Sequence, residues 1–152
     1  MPQLVLFHTG NIHFAIERDE ISHIESPGSG FAKGLCRVQC QAVMHKGKPL
    51  NLIDLTATVN KDPQQSYPPG LKIIMLKSAP SLGLLAEKIS GALDVDPQQM
   101  DVLPPVFTGK TRACFPRIVR LGDHLGLVID AATLPELLPL DPKAVEPCEV
   151  QI

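Results

Sequence analysis

Five histidines (His8, His13, His23, His45, His124) and four cysteines (Cys36, Cys40, Cys114, Cys148) are the side chains best suited to chemistry in this chain. A hydrolytic or transfer site would take Cys36, Cys40 or Ser22 as nucleophile and a histidine as base, held within hydrogen-bond reach. No such pair falls in a recognisable motif. Cys36 and Cys40 have a spacing that could start a zinc site, but Cys114 and Cys148 stand 34 apart and supply no second pair. No metal and no cofactor are expected, and the thiols read as reduced, packed or incidental. His8 and His13 flank a Thr9-Gly10-Asn11 turn and read as polar residues on the outer face of a hairpin. The glycine-rich stretch 25–35 lacks the spacing of a phosphate-cradling loop, so it reads as a connector. The residue inventory therefore points away from an enzyme.

The composition excludes further classes. A net charge of −2, scattered Lys and Arg, one Tyr and no Trp do not make a nucleic-acid surface. No apolar run approaches the ~18 residues that a membrane-spanning helix needs, and Met1 to Phe7 carries no basic leader. A cytoplasmic location without membrane insertion is expected. Fifteen prolines and eleven glycines cut the chain into short pieces, which favours short strands over long helices.

Two stretches organise the rest. Gly47 to Leu55 places apolar residues at Leu50, Leu52, Ile53 and Leu55 around Asp54, and Gly122 to Asp130 repeats the pattern up to Val128-Ile129-Asp130. The alternation reads as a strand, and the doubled Leu52-Ile53 as cover on both faces. Residues 3–8 and 12–16 form a hairpin, whereas Ile21 to Ile24 reads as either one helical turn or a strand. Cys36 to Met44 alternates towards a turn at Lys46-Gly47. Residues 56–70 are a polar connector between halves, and 71–76 with 82–85 form another hairpin. Residues 85–92 fit a strand or a helical face. Asp96-Pro97 starts a short helical turn, 115–121 pairs with 125–129, and Asp130 caps a short helix over 131–138. Ile16, Ile21 and Ser22 recur as Leu84, Ile89 and Ser90 at a constant offset of 68, while Asp54 and Asp130 are 76 apart. Several matches in one order indicate a duplication. About five short strands per half suit a small closed barrel.

The order hairpin, isoleucine-bearing third strand, turn glycine, Leu52-Ile53-Asp54-Leu55, Gly83 to Ile89 and Gly122-x-x-Leu125-x-Leu127-Val128-Ile129-Asp130 resembles the CheW-like chemotaxis coupling proteins over roughly residues 3–138. The resemblance implies a mainly β fold of two small five-stranded SH3-like barrels packed together, pseudo-duplicated, with short helical pieces. It implies a single CheW-like domain over 1–152, with barrel-forming halves near 3–60 and 70–138, a crossing of the chain between barrels being left open.

It also implies a non-catalytic adaptor that joins the cytoplasmic tips of chemoreceptors to the regulatory domain of a CheA-type histidine kinase. The alternatives are a diverged interaction module in another signalling output, or a small enzyme with a Cys or Ser nucleophile. The partner-binding residues so implied are Ile21, Lys46, Gly47, Gly83 and Ile89. Ile21 is the family's third-strand apolar position, and Gly83 and Ile89 open and close its glycine-led apolar motif. Met44-His45-Lys46-Gly47 is its receptor-contacting turn. Met44 stands where the family has asparagine, Lys46 where it has arginine, and Glu87 where it has aspartate. Lysine keeps the charge of arginine but loses the planar fork.

Overall fold

The computed structural model describes residues 3–10, 12–28, 31, 35, 40–56, 67–102, 114–121 and 123–137. Strand β1 (Gln3–Thr9) turns back through Gly10 into β2 (Ile12–Glu17), the expected N-terminal hairpin. A 3-10 turn at Arg18–Glu20 leads to β3 (Ile21–Glu25), so the ambiguous Ile21 to Ile24 stretch is a strand. Strands β4 (Cys40–His45) and β5 (Lys48–Ile53) form a second hairpin, and β6 (Lys72–Leu76) and β7 (Leu82–Ala86) a third. Residues 88–94 form strand β8 (Lys88–Asp94) along β1, which settles the helix alternative there. A 3-10 turn at Pro97–Gln99 carries β8 into β9 (Met100–Val102). Asp96 caps this turn by accepting from the Gln98 amide, while the Gln99 side chain accepts from the Asp96 amide. Strands β10 (Arg117–Leu121) and β11 (His124–Val128) close the series before a 3-10 segment, Ala131–Leu137. Asp130 caps that segment through the Ala132 amide. Cys36, Gly122 and Cys148 lie outside the described residues.

The strands make two sheets, ordered β8-β1-β2-β11-β10-β9 and β3-β6-β7-β5-β4. Strands from the two halves near 3–60 and 70–138 therefore pair with each other, the crossing that the sequence left open. The first hairpin, β1–β2, belongs with β8 to β11, and the hairpin β6–β7 belongs with β3 to β5. Each repeat lends its opening hairpin to the other repeat's sheet. Alternation says which face of a strand is buried but not which strand lies beside it.

The registers confirm the duplication residue by residue. Leu127 and Val128 pair in parallel with Phe14 and Ala15, and Asn51 and Leu52 with Leu82 and Gly83. These pairs follow the offsets of 76 and 68. Ile89 lies opposite Phe7 and Ile21 opposite Leu76, and each pairing then slips by one residue, past Ser90 and past Ser22. The same bulge thus occurs at the same place in both sheets.

Alternation then builds three apolar layers. Val5, Phe7, Phe14 and Ile16 of the first sheet share a central core with Ile53, Ile74, Leu76 and Leu84 of the second. The opposite face of the second sheet packs Leu50, Leu52, Ile73, Met75 and Leu85 around Tyr67. The opposite face of the first packs Leu4, Ala15, Val119 and Val128. Leu52 and Ile53 face different layers, the double cover expected of that strand. Polar seams tie the sheets together. Thr9 donates its hydroxyl to the Leu85 carbonyl, Thr56 donates to the Thr9 carbonyl, and buried Asp54 accepts from Tyr67.

Gly83 is required by close approach. A Cβ there would stand 2.5 Å from the Ile73 Cγ2 and 3.3 Å from the Leu52 Cδ2. Gly83→Ala is expected to lower stability by about 1–3 kcal/mol, read from the urea midpoint. Gly126→Ala, whose nearest contact would be the Val119 Cγ1 at 3.2 Å, should cost less.

Candidate functional site: the outer edges of the two sheets

The β4–β5 hairpin closes through Lys46 and Gly47, both at positive φ (53° and 79°), between the paired His45 and Lys48. Positive φ at both central positions is the geometry that matches the twist of a two-residue hairpin. Glycine adopts it without strain, and Lys46 is held there by the pairing on either side. The Lys46 side chain projects outwards and is 75 % exposed.

Glu25, at the end of β3, reaches this turn from the other edge of the sheet. Its Oε1 lies 2.9 Å from the His23 Nε2, 3.3 Å from the His45 Nε2 and 3.7 Å from the Lys46 Nζ. The hydrogen bond from His23 is the main influence holding the Glu25 carboxyl below its ordinary range. Burial opposes it, and Lys46, His45 and the His23 charge reinforce it. β3 and β4 are the outermost strands of their sheet, so this cluster latches one edge to the other. Beside it runs an open groove of about 530 Å³, lined by Lys46, Lys48, Pro49, Met75 and Pro80. Met44, next to His45 in the chain, is exposed. A basic rim over an apolar floor suits an acidic, amphipathic protein segment better than a small polar substrate.

Ile21 and Ile89 are half-buried, each with part of its side chain against the central core. They are neither sealed in the core nor fully exposed. Each sits on the outermost strand of its sheet, immediately before the bulge. Ile21 also lines an open groove of about 510 Å³ with Arg18, Ser22 and Lys77, bounded by Val5 of the other sheet. Gly83 departs from its expected place. It is buried between Ile73 and Leu52, so it serves packing and offers no surface to a partner. Glu87 accepts from the Gly10 amide at 2.7 Å and anchors the β1–β2 turn to the sheet junction.

The enzyme candidates fare differently. Ser22 Oγ lies 3.2 Å from the His23 Nδ1, and the same ring reaches Glu25 through Nε2. With Nε2–H donating to the carboxylate, Nδ1 of the neutral ring accepts from the Ser22 hydroxyl. The order serine, histidine, acid is that of a nucleophile relay, but both bonds are solvent-exposed on a strand edge. A relay gains its power in a water-excluded site with preorganised donors for the oxyanion, and this edge is not such a site. Cys40 is half-buried, and burial pushes its thiol up, away from the reactive thiolate. Cys114 is fully buried, with its thiol 3.8 Å from the Thr133 carbonyl. Among the described residues no three His, Cys, Asp or Glu side chains are arranged to hold a metal ion.

Sequence reasoning placed His45 in the turn but missed its link to Glu25, and missed Met75 and Pro80. No local signal ties Glu25 to His45, because the closure of the sheet, not strand neighbourhood, brings them together.

Residues 3–137 match the family model described as the CheW-like domain. No curated protein matches the chain in sequence. Among solved structures, the scaffolding protein TtCheW from Thermoanaerobacter tengcongensis is similar at a TM-score of 0.62 and 18 % identity. The alignment covers 86 % of this chain and 90 % of that one. At that identity the likeness shows the fold, two packed SH3-like barrels.

The Glu25 cluster has a pH signature. A carboxyl held below its ordinary value near 4.5 stabilises the fold above that pH and loses its contribution as pH falls through the lowered value. Urea midpoints measured against pH should therefore fall on the acid side of about 4.5 in the wild type. Glu25→Gln should be less stable at neutral pH and show a shallower acid decline.

Proposed function

Because this chain belongs to the CheW-like domain family, matched over residues 3–137, we propose that it is a non-catalytic signalling adaptor. It couples the cytoplasmic tips of chemoreceptors to the regulatory domain of a CheA-type histidine kinase. The observation that carries this reading is the extent of the family match, which takes in every strand of both sheets. The adaptor works in the cytoplasm, and no described helix is long and apolar enough to cross a membrane.

The contacts fall on the sheet edges. Ile21 and Ile89 act as one apolar contact from each sheet, and their equivalent registers support that pairing. Lys46 supplies charge at the rim of the β4–β5 turn, and Gly47 holds the turn's shape. Met44 and Lys46, where the family has asparagine and arginine, favour a second reading in which the same surface serves another signalling output.

Titration calorimetry with a receptor-tip fragment and with a kinase regulatory domain tests the division of binding. Ile21→Asp or Ile89→Asp, on a background shown to be folded by circular dichroism, should weaken association by about 2 kcal/mol or more. Lys46→Ala should cost about 1 kcal/mol or less and make binding less sensitive to salt. Normal binding of both partners by both folded isoleucine variants would place the interface elsewhere.

A further inference from the structure

Three imidazoles stand side by side where the borrowed β1–β2 hairpin meets its host sheet. His8 and His13 are directly opposed across β1–β2, with ring centroids 5.6 Å apart. The His13 ring lies 5.0 Å from that of His124 on β11. The join between β2 and β11 is short. It consists of the parallel pairs Gly126 with His13, Leu127 with Phe14 and Val128 with Ala15, and so begins at His13. The His8 Nδ1 is shielded from water and has no hydrogen-bond partner among the described residues.

We propose that this histidine row is a proton-sensitive fastening, which holds the first hairpin against β11 while its rings are neutral and loosens that seam when they become charged. Neutral imidazoles can pack in contact, edge to face for His8 with His13 and tilted for His13 with His124, whereas imidazolium rings at 5.6 and 5.0 Å repel one another across the seam. The surroundings do little to relieve this. Lys88 lies directly opposite His8 on β8 and adds like charge. Leu121 on β10 faces His124 and is apolar, and Arg120 beside it is paired with Asp101. Two carboxylate residues adjoin the row: Glu87, whose amide donates to the His8 carbonyl and whose Oε2 accepts from the Gly10 amide, and Asp123, next to His124 in the chain. On the side of the second sheet the contacts of the turn are the neutral Thr9, Thr56 and Leu85 carbonyl groups and hydroxyls.

Burial, then the charges of His124 and His8, lower the His13 value from its ordinary 6.5. The closed seam therefore takes up its proton at a lower pH than the opened seam does. Closure is fully favoured above that ordinary value and is lost as pH falls from it towards the lowered one. The seam is the point at which one repeat's hairpin is held in the other repeat's sheet, so acidification acts on the join between repeats rather than on a loop.

Amide hydrogen exchange of the intact chain at about pH 7.5 and about pH 5.5, corrected for the intrinsic pH dependence of exchange, tests this. Peptides covering 12–16 and 124–128 should open more often at the lower pH, by up to roughly tenfold for one imidazole, while β6–β7 changes little. His13→Gln should abolish the difference. His124→Gln, at the exposed end of the row, should reduce it and guards against a His13 variant that fails to fold. A wild type whose seam is as closed at the lower pH as at the higher would overturn the proposal. So would a pH response that survives intact in both variants.

Discussion

The apolar layer between the two sheets is the constraint on which the rest of the molecule depends. It is shared by two exchanged hairpins, Phe7, Phe14 and Ile16 from β1–β2 and Ile74, Leu76 and Leu84 from β6–β7. Burying each such side chain contributes about 1.5–3 kcal/mol. Because each hairpin also completes the other repeat's sheet, neither sheet has its full set of strands without both repeats. The buried Thr9, Thr56 and Asp54 bonds fit this arrangement. They satisfy polar groups that the junction would otherwise strand away from water.

That construction sets which surfaces stay accessible. The faces of the sheets are consumed by the three apolar layers, which leaves the outermost strands and their turns as the accessible surface. β3 and β8 carry matching bulges, and a bulge re-aims the side chains beside it. Ile21 and Ile89 therefore keep one side against the core while the other remains available. At the far edge of the second sheet, Glu25 latches β3 to the β4–β5 turn, so the shape of the groove beside Lys46 depends on the same closure that completes the barrel.

Much of this was legible in the sequence. Period-two alternation marked the hairpins, Asp96-Pro97 marked its capped turn, and the offsets of 68 and 76 pointed to a duplication with which the strand registers agree. The doubled Leu52-Ile53 correctly implied two buried faces. What escaped was information that alternation does not contain. The exchange of hairpins depends on which strand lies next to which, whereas the short helical piece expected near 131–138 is present as the 3-10 segment Ala131–Leu137. Gly83 was misplaced for a related reason. A glycine in an apolar strand signals close approach as readily as an open surface, and here Ile73 and Leu52 fill the space. The Glu25 cluster joins residues from opposite edges of one sheet, a proximity that only closure creates.

The shared core predicts a single cooperative unit, and equilibrium unfolding in urea tests that most directly. The chain has one tyrosine and no tryptophan, so fluorescence reports Tyr67 and the second sheet, while the ring-proton signals of His8 and His13 report the first. At neutral pH the two probes should lose their native signal at the same midpoint and with the same steepness. Loss of the Tyr67 signal while the histidine signals remain native, or the reverse, would contradict the account, because it would mean that one sheet stands without the hairpin exchanged with the other.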